Sequence, residues 1–447
     1  MKNRLRTRPG MYIPLHWGGV LSPLVLPRLT PLENWTGFTE TPSSEGGKIV
    51  RLVQLKEEKI YYTVGRKILV HCLLQHLMKS LRLLATCVCI PVLLAAMLAA
   101  IPTAWGIAQA GGSASTPIPP NTPLRFTSLS IEQGLSQSVV TVTYQDSQGY
   151  IWFGTQDGLN RYDGYRFTIF RPDPDNPSGL NDRQILSIVE DTHGNLWVGT
   201  SLGGLNRYDR LTGLFTHFVH DPQNPDSLGG NCIRALFVDR QGMLWIGSNG
   251  GVDVYDPQQG AFLAHYRHDP DDPTSLPPNG VNDIHQDRTG VMWFATWKGI
   301  SYQDGGDGPF IHLPHNLDDP DSPIDNHVKM IVEDREGDFW LGTEIGLDRL
   351  DRQTLRCEHF KSNPEILGSL SSSYINAILE DRSGDLWIGT ADGLNLFHRE
   401  SGYFTVYRHN PADLDSLTDS IILSLYEDQE GILWAGTFGG GVNKLDR

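Results

Sequence analysis

The chain has 447 residues, 20% charged and 39% hydrophobic, which excludes a wholly disordered or wholly membrane-embedded protein. Its formal net charge of −16 is uneven: residues 1–110 carry +8 and the remainder −24, and so acidic a body is a poor partner for nucleic acid, where binding rests on neutralised phosphates. The 47 glycines and 28 prolines favour turns over long helices, and the five cysteines include no C-x-x-C pair, so neither a zinc knuckle nor a disulfide framework is expected.

Residues 1–77 show no repeat and no domain-like pattern. From Met78 the chain reads as an export signal. Lys79 and Arg82 precede the apolar run Leu83–Ala100 (LLATCVCIPVLLAAMLAA), and Ala108-Gln109-Ala110 offers a small-x-small cleavage site. The run is nearly long enough to cross a bilayer, so residues 78–110 are either a signal peptide or an uncleaved anchor. Either places the acidic body outside the membrane. Because a signal belongs at an N-terminus, we expect translation to start at Met78 and residues 1–77 to be non-native; the alternative is a cytoplasmic tail. Residues 111–123 (GGSASTPIPPNTP) form a flexible linker.

Beyond the linker the string D-x-x-G-x-x-W occurs seven times. Its tryptophans are Trp152, Trp197, Trp245, Trp293, Trp340, Trp387 and Trp434, spaced by 45, 48, 48, 47, 47 and 47 residues. Each unit reads as four short strands. An apolar first strand ends at the Asp, and D-x-x-G makes a turn, Asp bonding its amides and Gly taking positive φ. The second strand carries the Trp and a small-residue pair, as in LWVGT. The third follows a glycine turn, as in GLNRYD; the fourth is aromatic, as in FTHF. A Pro/Asp loop leads to the next unit. Four strands per repeat of this length predict an all-β, seven-bladed β-propeller over residues 124–447. The last unit lacks its fourth strand, and an unmatched strand, LRFTSLS (Leu124–Ser130), stands at the other end. It is expected to complete the last blade and close the ring, leaving no long open edge.

The segment LRFTSLSIEQGLSQSVVTVTYQDSQGYIWFGTQDGLNRYDGYRFTIF closely resembles the opening of the two-component regulator propellers, sensor domains of bacterial hybrid histidine kinases. The later D-x-x-G-x-x-W-x-G-T…G-L-N-x-Y-D units match the same repeat. The resemblance implies an exported, ligand-sensing propeller, with a downstream histidine kinase as a partner and dimerisation in a longer sensor. The chain departs from the pattern by stopping after seven units, with no kinase histidine box, nucleotide-binding region or receiver. It therefore reads as a fragment or a stand-alone propeller, and not as an enzyme. Streptogramin lyases are similar in architecture and give an enzymatic alternative, but they need a catalytic His and a metal, which are not picked out here. A protein-interaction platform is the third reading.

No chemical motif competes. The glycine runs lack a following helix and G-K-[ST], and the D-P-D-D-P loops lack the calcium-loop pattern. No cofactor or metal is expected. Candidate ligand contacts come from positions that differ between units. Eight residues before each Asp stand Ser138, Arg183, Asn231, Asn279, Asn326, Ser373 and Ser420, a polar ring at the channel mouth. Arg234, Asn282, His327, Lys329, Tyr374 and Asn376 lie nearby, and the turns between second and third strands add Asp157, Asn249, Trp297, Lys298, Glu344, Asp392 and Phe438. The predicted ligand-binding set is Arg183, Asn231, Arg234, Asn282, Trp297, Lys298, His327, Lys329, Tyr374 and Asn376. Aromatic rings among amides and cations suit a small polar ligand such as an acidic oligosaccharide.

Overall fold

The computed structural model describes residues 122–303 and 308–446, Pro119, and the backbone of Ile49–Leu55 and Glu58–Thr63. The chain divides into two units, Met1–Gln109 and Ala110–Arg447. In the first, Ile49–Leu55 and Glu58–Thr63 pair as an antiparallel hairpin, an element the sequence reading did not find in its patternless segment. The apolar run and nearly all of the linker fall outside the described residues. Among the described residues no helix is long and apolar enough to cross a membrane.

The second unit is a ring of seven four-stranded antiparallel sheets. The innermost strands are Val140–Gln145, Ile185–Glu190, Ile233–Val238, Val281–Gln286, Val328–Glu333, Ile375–Glu380 and Ile422–Glu427. In blade 7 the outer strand is Phe126–Leu129, which pairs with Val442–Leu445 in the register Phe126↔Leu445 to Leu129↔Val442. The expected closure is therefore present.

The repeat residues build the blades. All seven tryptophans are buried. Each indole Nε1–H donates to the Oδ2 of its own repeat Asp, six residues earlier, at 2.6–3.1 Å. The same Asp takes turn amides on Oδ1; Asp146 accepts from Gln148 N and Tyr150 N, both at 3.0 Å. Thus one buried carboxylate satisfies a turn and an indole that would otherwise be unpaired in the core. The tryptophans fill the gaps between blades: Trp152 clusters with Ile185, Leu196 and Val198 of blade 2, and Trp434 with Val140 and Phe153 of blade 1. The glycine after Trp-x, present in six of the seven repeats and replaced by Ala295 in blade 4, lets blades approach. A Cβ on Gly389 would lie 2.7 Å from Cγ2 of Ile422 in the next blade. The Thr or Ser that follows is buried and donates to the carbonyl of a glycine in the adjoining turn, at 2.7–3.3 Å.

Every innermost strand carries a register shift after its first residue. The residue at the shift is Thr141, Leu186, Arg234, Asn282, Lys329, Asn376 or Leu423, five before the repeat Asp. A bulge re-aims its side chain out of the ladder, here at the channel end of each innermost strand.

Candidate functional site

One face of the ring gathers the turns between second and third strands together with the loops that enter each blade. Backbone bonds tie them across blades: Gly158 N to Arg183 O at 2.7 Å, Gly204 N to Asn231 O at 3.0 Å, Gly299 N to Asn326 O at 2.6 Å and Gly441 N to Ser138 O at 3.1 Å.

Much of the polar ring at this mouth is spent on the fold. Asn231 Oδ1 accepts from His220 N at 2.7 Å, Asn326 Oδ1 from His315 N at 3.0 Å, and Ser373 Oγ from Ser362 N at 3.0 Å. Bulge side chains are also employed. Asn282 Nδ2 donates to Val328 O at 2.9 Å and Lys329 Nζ to Ile375 O at 2.8 Å, as Thr141 Oγ1 does to Ile185 O at 2.6 Å. In each case a side chain of one blade donates to the carbonyl of the residue just before the next blade's bulge. Differing residue types thus perform one structural job, which variation between units alone does not reveal.

Within the predicted set, the structure brings six residues together across blades 3 to 6. The guanidinium of Arg234 lies 5.8 Å from the centre of the Trp297 ring. Trp297 is 37% exposed and stacks on His327, with centroids 3.7 Å apart and planes within 12°. His327 Nδ1 lies 3.3 Å from Glu344 Oε1, and Tyr374 Oη donates to that same oxygen at 3.1 Å. Lys329 Nζ sits 4.1 Å from the Tyr374 ring centre and donates to Asn376 Oδ1 at 2.8 Å. Glu344, a turn candidate left out of the predicted set, links the aromatic pair to the cation. Its signal was its place one turn along from Trp297.

Burial shapes the electrostatics. It pulls the Lys329 amine down to about 8, with Glu344 opposing. It lowers His327, again against Glu344, and raises the Tyr374 phenol, here aided by Glu344.

Four predicted members do not join this cluster: Asn231 and Asn282 serve the backbone contacts given above, and Arg183 and Lys298 stand apart. Arg183 stands at the junction of blades 1 and 2, with Nη1 3.7 Å from Asp157 Oδ1, a carboxylate that Arg171 also holds at 2.9 Å. Its charge is drawn to the acid of its own neighbouring turn. Lys298 follows Trp297, so it turns the other way and lines a separate groove of about 240 Å³ with His268, Pro273 and His312. His327 already covers one side of Trp297. Elsewhere, Asp334, Glu336 and Asp338 bring carboxylate oxygens within 4.8 Å of one another, but Arg399 holds Asp334 and Arg349 holds Asp338, each at 2.7 Å.

Seven segments, residues 134–157, 179–201, 227–250, 275–298, 322–344, 369–392 and 416–439, match the family described as two component regulator propeller. The chain is a two-component regulator propeller. A histidine kinase P4 of Formosa agariphila is 43% identical over 56 residues, 12% of this chain and 4% of that protein. The extracellular domain of a putative hybrid two component system from B. thetaiotaomicron superposes with TM-score 0.63 at 26% identity, over 72% of this chain and 42% of that one. A streptogramin B lyase shares the fold at TM-score 0.52 and 14% identity, over 72% of this chain and 98% of the lyase. This propeller therefore spans less than half of the sensor domain it matches, and the whole sensor's activity and partners are not read across.

Proposed function

We propose that this regulator propeller is the ligand-sensing part of an extracytoplasmic two-component sensor. On this reading it binds a small polar ligand, such as an oligosaccharide, at the mouth over blades 3 to 6, and its signal passes to a histidine kinase. One observation carries the reading: the Arg234–Trp297–His327–Glu344–Tyr374–Lys329 chain of contacts is a concentration of exposed and half-buried aromatic and charged groups on the loop face of a propeller from this family. Sites for polar ligands need a few convergent polar groups beside aromatic surface. The likeness to extracellular sensor domains and the apolar run before the linker support an exported location. The test is a calorimetric screen of the full chain against oligosaccharides of varied charge, repeated with Trp297→Ala. A binder that loses most of its affinity in this variant, while unfolding is unchanged, supports the mouth. A binder indifferent to it places the site elsewhere.

A further inference from the structure

This inference rests on the mouth being the ligand site and concerns the chemistry it selects. Of the seven bulge residues around the channel, only Arg234 and Lys329 are charged, and both are cations. Many arginines of this acidic body are held by carboxylates, as Arg210 is by Asp146 and Glu190, Arg352 by Asp287 and Arg399 by Asp334, whereas Arg207 lies over a ring and Arg240 bonds backbone carbonyls. Arg234 and Lys329 belong to the second group, and they alone of it stand at bulge positions around the channel. Among the described residues neither has a carboxylate within ion-pair distance. The Lys329 amine meets a carbonyl, an amide oxygen and a ring face, all neutral. Glu344 is the acid of the cluster, and its Oε1 already serves Tyr374 and His327.

A run of ring contacts links the surroundings of the two cations. Arg234 belongs to blade 3 but lies over Trp297 of blade 4, which stacks on His327 of blade 5, two residues before Lys329. A cation withdrawn from water without a counter-charge is unfavourable, and an incoming oxyanion supplies the missing charge together with short, strong hydrogen bonds. At this range the pair outweighs the distant acids, which salt screens. We infer that the mouth receives an oxyanion of its ligand, a carboxylate or a sulfate ester, between Arg234 and Lys329. Titration agrees with this placement. The groups facing the Lys329 amine are Glu344, His327 and Tyr374, and burial holds it at about 8, so a bound anion retains its proton and affinity falls as pH rises through that value.

The test uses the full chain with its lysines reductively methylated with ¹³C. The Lys329 signal is assigned by its loss in Lys329→Gln, and sodium glucuronate, sodium sulfate and glucose are titrated in turn. Expected is a saturable shift of that signal and a raised titration midpoint with an anion but not with glucose, weakened roughly tenfold in Arg234→Gln. Response to glucuronate alone assigns a carboxylate, and response to sulfate assigns a sulfate ester. A Lys329 signal unmoved by both anions, or moved equally by glucose, overturns the inference. The two readings separate in the oligosaccharide screen. A ligand that depends on Trp297 but ignores Arg234→Gln leaves the mouth as the site and overturns only the anion. A ligand indifferent to both variants overturns the mouth itself.

Discussion

The repeat Asp shows how much one residue carries. In blade 7, Asp428 takes Glu430 N and Ile432 N on one oxygen and the Trp434 indole on the other, at 3.0, 2.9 and 2.7 Å. In Asp428→Asn the amide oxygen can keep the turn, but the NH₂ then faces the indole N–H. The expected cost is about 1–3 kcal/mol, the desolvation penalty of an unmatched buried donor. Urea unfolding checks it, and a loss of only a few tenths would show that the indole does not need this partner. Trp293→Ala removes the ring that packs on Phe339 of blade 5 at 4.6 Å between centroids. It should cost about 3–5 kcal/mol by cavity formation, read the same way. The motif that places these residues was legible in the sequence. The bond between Asp and Trp was not, because it depends on both side chains turning to one side of the hairpin.

At the scale of elements, closure and bulges matter most. The strand Phe126–Leu129 covers the edge of Val442–Leu445, and Phe126 is buried in the cluster with Leu433 and Leu445. A chain beginning at Leu124 should unfold as cooperatively as the full chain. One beginning at Ser130 exposes an unpaired edge and an apolar gap in blade 7, and should melt earlier and self-associate. Size-exclusion chromatography with thermal unfolding tests this, and equal behaviour of the two truncations would mean that the last blade closes without that strand. The closing strand was readable because the repeat count left one strand missing and one spare. The bulges were not readable, since they come from ring geometry and leave no fixed residue type at the shifted position.

The ring is joined on its second face as well. At six of the seven junctions the residue after the repeat Asp donates its N–H to the Glu or Gln that ends the next blade's innermost strand, as in Ser147 to Glu190, Arg335 to Glu380 and Arg382 to Glu427. Gln429 N makes the same bond across the closing junction, to Gln145 Oε1 at 2.7 Å, and the exception is the step into blade 3, whose innermost strand ends in Val238. Between blades 4 and 5, Asp283 accepts from Ile331 N at 2.9 Å, and burial raises its carboxyl to about 6. The folded state therefore holds this proton more tightly than the unfolded chain does. The resulting stability is fully present below the unfolded value near 4 and is lost as pH rises through about 6. Asp283→Asn should flatten that decline, on the order of 2 kcal/mol, in denaturant unfolding at pH 4, 5, 6 and 7. An unchanged profile would assign the decline to other groups.

The sequence by itself determined the blade number, the four-strand unit, the closing strand and the family, because each rests on a local pattern copied seven times. Copying lets a turn, a buried ring and a small residue be recognised without any knowledge of distant contacts. The tertiary structure alone decided which of the differing residues meet. Arg234, Trp297, His327, Lys329, Tyr374 and Asn376 come from four blades, and their junction depends on turn directions that sequence spacing does not encode. It also separated Arg183 and Lys298 from them, through a neighbouring carboxylate in one case and an outward turn in the other. The physical reason is range: a repeat is specified by hydrogen bonds within one blade, whereas a site at the mouth is specified by side chains that cross between blades.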